Sequence, residues 1–278
     1  MPTSKHTNKR TASRTRRRSA ALTWTKSREL TLKGAGGRSV VVMPMVVHSI
    51  DDPPAFHLGK PTDEPYLTHR FLVGISSEDL GDSGDGSHGL WTEFPAVTPP
   101  SNSEVWDGSF RLVAELELFE FPVRRVDAFG GWFDALDAID GDTAAVIELV
   151  EALKGDESHA PGALLDGSLF FARTGHVHPA ARGQHVMLRL LRHALLTVAR
   201  STDDVIALLA SPIPSIFGPS GEVMRDARDG VPHDRRAMER LARYYEQLGL
   251  KRWGPSPATD EAPILYAALG MHLLPGLR

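Results

Sequence analysis

Residues 169–210 decide the fold: they read LFFARTGHV, then HPAARGQH, then VMLRLLRHALLTVAR, then STDDVIALLA. The first piece is apolar and aromatic over 169–177, a strand signal. The second holds Pro179, Arg182 and Gly183 and reads as a loop. In the third, from about 184 to 200, Met187, Leu190, Leu191, Ala194, Leu195 and Val198 recur at helical spacing, with Arg189, Arg192, His193 and Arg200 facing away from them. That is an amphipathic helix. The last piece is a continuous apolar run over 204–210, the pattern of a central strand covered on both faces. Strand, helix and strand at this spacing predict a right-handed crossover between parallel neighbours.

The loop at the start of that helix has its own chemistry. First-turn N–H groups lack intrahelical partners and sit at the positive end of the helix dipole, so an Arg/Gly/Gln loop there suits phosphate.

Working outward, 112–118 alternates Leu112, Ala114, Leu116 and Leu118 with more polar neighbours and predicts a strand. Residues 143–153 put Val146, Leu149, Val150 and Leu153 on one face of a predicted helix, with Asp142 as its N-cap and Gly155 as its stop. A helix over 234–248 carries Met238, Leu241, Ala242, Tyr245 and Leu248 on one stripe and ends at Gly249, with Tyr244 off the stripe at the surface. Strands are predicted at 251–253 and 264–268, a hairpin over 30–50 around Gly34–Gly37, and a short strand at 70–75 between loop-rich segments 51–66 and 79–103. Such alternation argues an α/β or α+β fold with helices on a mixed sheet. No internal repeat is visible.

Hydrophobic residues at 41% and charged residues at 24% are ordinary for a globular chain, and 278 residues suffice for an ample core. The net charge of −4 is unevenly spread. Seven of the 31 Lys and Arg fall in residues 1–20, which hold no acid, so the remainder sets 24 basic against 35 acidic residues, a balance of −11. A body that acidic is a poor nucleic-acid binder, which leaves nucleic acid as a partner only through residues 1–20. Residues 1–25 are expected to be a disordered basic arm. The absence of cysteine excludes disulfides, thiolate metal sites and Cys nucleophiles, and fits a cytoplasmic protein. Apolar runs such as 40–47 are too short to span a bilayer, so no membrane partner is expected.

Two motifs carry a family resemblance. The loop from Arg182 to Met187 resembles the pyrophosphate loop of the GNAT superfamily of acyl-CoA-dependent N-acyltransferases, with His185 and Met187 standing where that family has small residues. The segment Tyr244-Tyr245-Glu246-Gln247-Leu248-Gly249-Leu250 looks like the family's Tyr-Glu-x-Leu-Gly-Phe signature on a later helix. The resemblance covers about 165–255, extends back to about 110, and does not reach the first hundred residues. It implies a mostly antiparallel sheet with a central parallel pair and helices on both faces. It also implies a division into a divergent segment at 26–105 and a GNAT-like domain at 106–278.

The implied function is acetyl transfer from acetyl-CoA, as co-substrate, to a primary amine on a small molecule or peptide; a homodimer stays open. By resemblance, Arg182, Gly183, Gln184, His185, Val186 and Met187 surround the pyrophosphate, mainly through backbone N–H groups. Val177 offers its backbone to the pantetheine arm or thioester, and Tyr245 protonates the departing thiolate. A core tyrosine is an equal reading of Tyr245. The base that deprotonates the amine stays open among His176, His178, Glu115, Glu117 and Asp166. The alternative is a catalytically degenerate GNAT-fold binding protein that contacts nucleic acid through the arm.

Other signals are set aside. Gly81-Asp82-Ser83-Gly84 echoes a serine-protease motif but continues Asp85-Gly86 in a segment with little strand character. Asp79, Asp82 and Asp85 lack the spacing of a calcium loop. His176 and His178 have no third metal ligand nearby in sequence, and no metal is expected. Arg124 and Arg125 read as surface charge or an ion pair.

Overall fold

The strand–loop–helix–strand unit forms as its spacing predicts. In the computed structural model, β7 (Ser168–Val177) leads through a 3-10 turn (Pro179–Ala181) into α5 (Val186–Val198), which returns to β8 (Val205–Leu209). The two strands pair in parallel from Leu169↔Val205 to Ala172↔Leu208. The structure describes residues 20–22, 29–33, 39–51, 65–76, 110–155 apart from 138 and 140, 163–212, 234–254 and 262–269.

Around this unit lie β1 (Ala20–Leu22), β4 (Met45–Asp51), β5 (Leu67–Ser76), β6 (Phe110–Pro122), β9 (Lys251–Arg252) and β10 (Ile264–Ala268), in the order β1-β4-β5-β6-β7-β8-β10-β9. Every other pairing in this sheet is antiparallel. The fold is therefore a mixed, mostly antiparallel sheet with one parallel pair. A separate hairpin, β2 (Leu30–Lys33) with β3 (Ser39–Val42), forms where the glycine run predicts it.

Strand side chains alternate between faces, and the two faces take different cores. Phe170, Ile206, Leu116 and Leu118 pack under α5 and α6 (Arg235–Glu246). Leu169, Phe171, Val205 and Phe121 pack under α1 (Val123–Phe129), α2 (Trp132–Asp137) and α4 (Ile147–Gly155). The hairpin joins the first core through Leu30, Leu32 and Val42. Gln184 fastens it: its side-chain oxygen accepts from the Thr31 N–H at 2.8 Å, and its amide donates to the Thr31 carbonyl.

Several expectations need correcting. Ala20–Leu22 pair with β4 as an edge strand, so the expected arm 1–25 is not wholly outside the fold; its other residues lie outside the described ones. Within the expected segment 26–105, β5 runs alongside β6 from Leu67↔Glu120 to Ser76↔Phe110. The helix expected over 143–153 is two, α3 (Gly141–Ala144) and α4, with Asp142 inside α3 rather than capping it. Thr143 instead turns its hydroxyl back to the Leu136 carbonyl at 2.8 Å. The last helix ends at Glu246, and Gly249 follows at φ +90°, in the left-handed region that glycine tolerates. Arg124 sits 3.9 Å from Asp166 as an exposed pair. The segment around Ser83 and Asp85 lies outside the described residues. Among the described residues, no helix is long and apolar enough to cross a membrane.

Candidate active site

The parallel pair opens midway. Beyond Ala172↔Leu208, β7 runs on to Val177 paired only with β6, while β8 stops at Leu209. A β-bulge sharpens the divergence, because Glu117 opposes Thr174 and Leu118 opposes Ala172, which leaves Arg173 as the extra residue. Into the gap opens a cavity of about 590 Å³, bounded by residues 172–175, the end of β8, and Leu241, Tyr244 and Tyr245 of α6. A second cavity of about 470 Å³ adjoins it, shares Gly175, Arg182, Leu241 and both tyrosines, and extends to His176, Val177 and the start of α5.

Helix α5 starts in an unusual way. Its N-cap residue, His185, lies in the left-handed region at φ 54° and supplies no side-chain cap. The cap comes from another helix: the Tyr244 hydroxyl accepts from the Leu188 N–H at 3.3 Å and also from the Met187 N–H. The His185 ring stacks on Tyr244, with centroids 5.8 Å apart and planes 10° from parallel. Tyr244, expected at the surface, is thus partly buried with its oxygen on two of the donors expected to face phosphate. Burial pushes its hydroxyl up, against the pull of those two N–H groups.

Met187 does not crowd the loop. Its side chain is buried over β7, so close that a Cβ on Gly175 would lie 3.0 Å from its sulfur and methyl group. Glycine at 175 is what permits that approach. Of the other loop residues, Gly183 turns at φ 79° and Arg182 is exposed, its Nε donating to the Val177 carbonyl at 3.3 Å. That bond ties the loop to the strand end expected beside the thioester. The Gln184 side chain is committed to Thr31, which leaves its backbone for a ligand.

Tyr245 lines both cavities. Burial, and then neighbouring Tyr244, raise its hydroxyl above the ordinary phenol range, so it keeps its proton at neutral pH and is a weaker acid than a free phenol until developing thiolate charge draws the proton away. The candidate bases separate. His176 lines the second cavity and stands opposite Glu115 in register. His178 is 2% exposed, its Nδ1 accepts from the Ala180 N–H at 3.2 Å, and its backbone N–H donates to the Val113 carbonyl at 2.8 Å. It caps the 3-10 turn, and it leaves the set of bases. Asp166 also drops out, as an exposed residue before β7 starts. Glu115 and Glu117 pair with Arg70 and Arg173, the second at 3.1 Å.

Sequence reading missed Arg173 and Tyr244. Nothing in a strand pattern marks a bulge, and Tyr244 caps a helix 56 residues away. Among the described residues, no group of three or more His, Cys, Asp or Glu is placed to hold a metal. No protein-family model, curated protein or solved structure matches the chain.

Proposed function

We propose that this chain is a GNAT-like N-acetyltransferase that moves the acetyl group of acetyl-CoA to a primary amine. The observation that carries the reading is a juxtaposition. Two adjoining cavities border the opened parallel strands, the N-terminus of α5 and Tyr245. A thioester donor needs those three things: an extended slot, an anion-binding end and a proton for the leaving sulfur.

The residues divide the work accordingly. Backbone N–H groups of 183–188 and the Arg182 guanidinium hold phosphate, and the free edge of β7 orients the acyl arm. His176 takes the amine proton, with Glu117 as the alternative. The amine nitrogen bonds to the acyl carbon, the C–S bond breaks, and Tyr245 gives its proton to the sulfur. Before phosphate can reach Met187 and Leu188, Tyr244 must swing away.

Calorimetric titration of the purified chain with acetyl-CoA and with CoA tests the reading. Saturable binding at micromolar to submillimolar ligand is expected, and silence at millimolar concentration removes it. One observation favours a second reading, a degenerate binding protein: a side-chain oxygen already sits on the phosphate donors. That reading predicts no transfer to any amine, and retention on nucleic acid that is lost when residues 1–20 are deleted.

A further inference from the structure

The first cavity is not confined to one side of the sheet. Leu116, Leu191 and Leu208 belong to the core under α5, whereas Arg173 and Leu209 pack against groups of the opposite face, and all five line that cavity. The gap between β7 and β8 therefore borders both faces of the sheet. If the donor lies on the α5 side, the acceptor reaches the acyl carbon from the other.

What waits on that other face is Arg173. Its guanidinium is held 3.1 Å from Glu117 and 5.1 Å over the Phe119 ring, so it is fixed at the gap by an ion pair and a cation–π contact. Beside it Arg70 bonds Glu115 from β5, and Arg70 is 52% exposed along its side chain. Each arginine is thus paired with a glutamate, but the lining of the first cavity holds Arg173, Arg182 and Arg240 and, among the described residues, no acidic side chain. A polyamine would bring further cations into this arginine-lined cavity, where like charges repel. An amine that carries a carboxylate gains there instead. A guanidinium presents its N–H donors in a planar fork that matches a carboxylate bidentately, as a single ammonium does not.

We propose, building on the acetyltransferase reading, that the acceptor is an amine bearing a nearby carboxylate, the α-amino acid class, and that Arg173 is the specificity-determining residue that receives this carboxylate. The amine then lies near His176 and Glu117, and its carboxylate meets the arginine side chains that line the cavity.

The experiment compares matched acceptors with the wild-type chain and saturating acetyl-CoA: lysine against cadaverine, and phenylalanine against phenethylamine. Released CoA is read with a thiol reagent, which a cysteine-free protein leaves undisturbed. The carboxylated member of each pair is expected to have at least roughly tenfold higher kcat/KM. Arg173→Met is expected to raise its KM about tenfold or more and to collapse the ratio within each pair toward one. Arg173→Lys restores only part of that ratio, because a point charge lacks the fork. Decarboxylated amines that react as well as their partners in the wild type overturn the inference even if no variant folds. An Arg173→Met variant that slows both members equally overturns it too. Calorimetry with acetyl-CoA alone separates the failures. Binding without carboxylate preference sinks this inference only, whereas no binding sinks the acetyltransferase reading and this one with it.

Discussion

The two ends of α5 lie over the same sheet face and treat buried polar groups in opposite ways. Beneath the C-terminal end, polar groups satisfy one another. His48 Nε2 meets His69 Nδ1 at 3.1 Å, His69 Nε2 meets Glu120 Oε2 at 2.7 Å, and the Ser168 hydroxyl donates to Glu120 at 2.9 Å. Asp204 closes that end by accepting the N–H groups of Ser168, Arg200 and Ser201, each at 2.8 Å. Beneath the N-terminal end, polar groups face cavities, and the helix borrows its cap from Tyr244. Cross-linked polar groups that satisfy one another are scaffold, whereas polar groups bordering space, with a replaceable partner, mark a candidate site.

The largest expected effect breaks the scaffold end. Asp204→Ala strands three N–H groups and should cost about 3 kcal/mol or more of unfolding free energy in denaturant titration, with Asp204→Asn recovering part. A loss under 1 kcal/mol would dissolve the contrast between the two ends. At the site end, Tyr245→Phe should lower kcat roughly 100-fold while the acetyl-CoA Kd stays within about twofold. An unchanged kcat makes Tyr245 a core residue only.

The scaffold also predicts a pH dependence. Burial, then the proximity of His69 and His193, lowers the His48 pKa from 6.5 to about 4. The unfolded chain takes up a proton that folded His48 refuses, so stability falls as pH drops from 6.5 toward 4. Burial pushes the Glu120 carboxyl up, but hydrogen bonds from His69 and Ser168 and the charges of His69 and Arg200 outweigh it and hold it below its ordinary value. Its contribution is lost in the same direction, at lower pH. The loss attached to His48 is on the order of 2 kcal/mol, and His48→Phe should flatten the stability curve across that window. A slope unchanged by the substitution would show that the titration lies elsewhere.

The smallest effect sharpens the site end. Tyr244→Phe keeps the ring stacked on His185 but releases the N–H groups of Met187 and Leu188. It should tighten acetyl-CoA binding by roughly fivefold and lower stability by no more than about 1 kcal/mol. Weaker binding would instead make the hydroxyl part of the ligand's own contacts.

The fold was largely legible because its deciding signals are periodic. The apolar stripe of α5 and the unbroken run of β8 each admit one arrangement. The site was legible only in part. The sequence places Arg182, Gly183 and Tyr245 near the cavities, because loop and helix ends are written locally. It cannot place the Tyr244 oxygen on α5, nor show His178 capping a turn, because both depend on how distant segments meet. The bulge at Arg173 was equally hidden, since it is a register difference between two strands, each regular in pattern.

The most direct measurement follows the backbone amide resonances of Gly183, Gln184, Met187 and Leu188 by nitrogen-15 NMR as CoA is added. Saturable shifts concentrated on those amides, together with movement of the Tyr244 ring signals, are the predicted result. Amides at the α5 start that stay still at millimolar CoA, or shifts confined to residues 1–20, would contradict it.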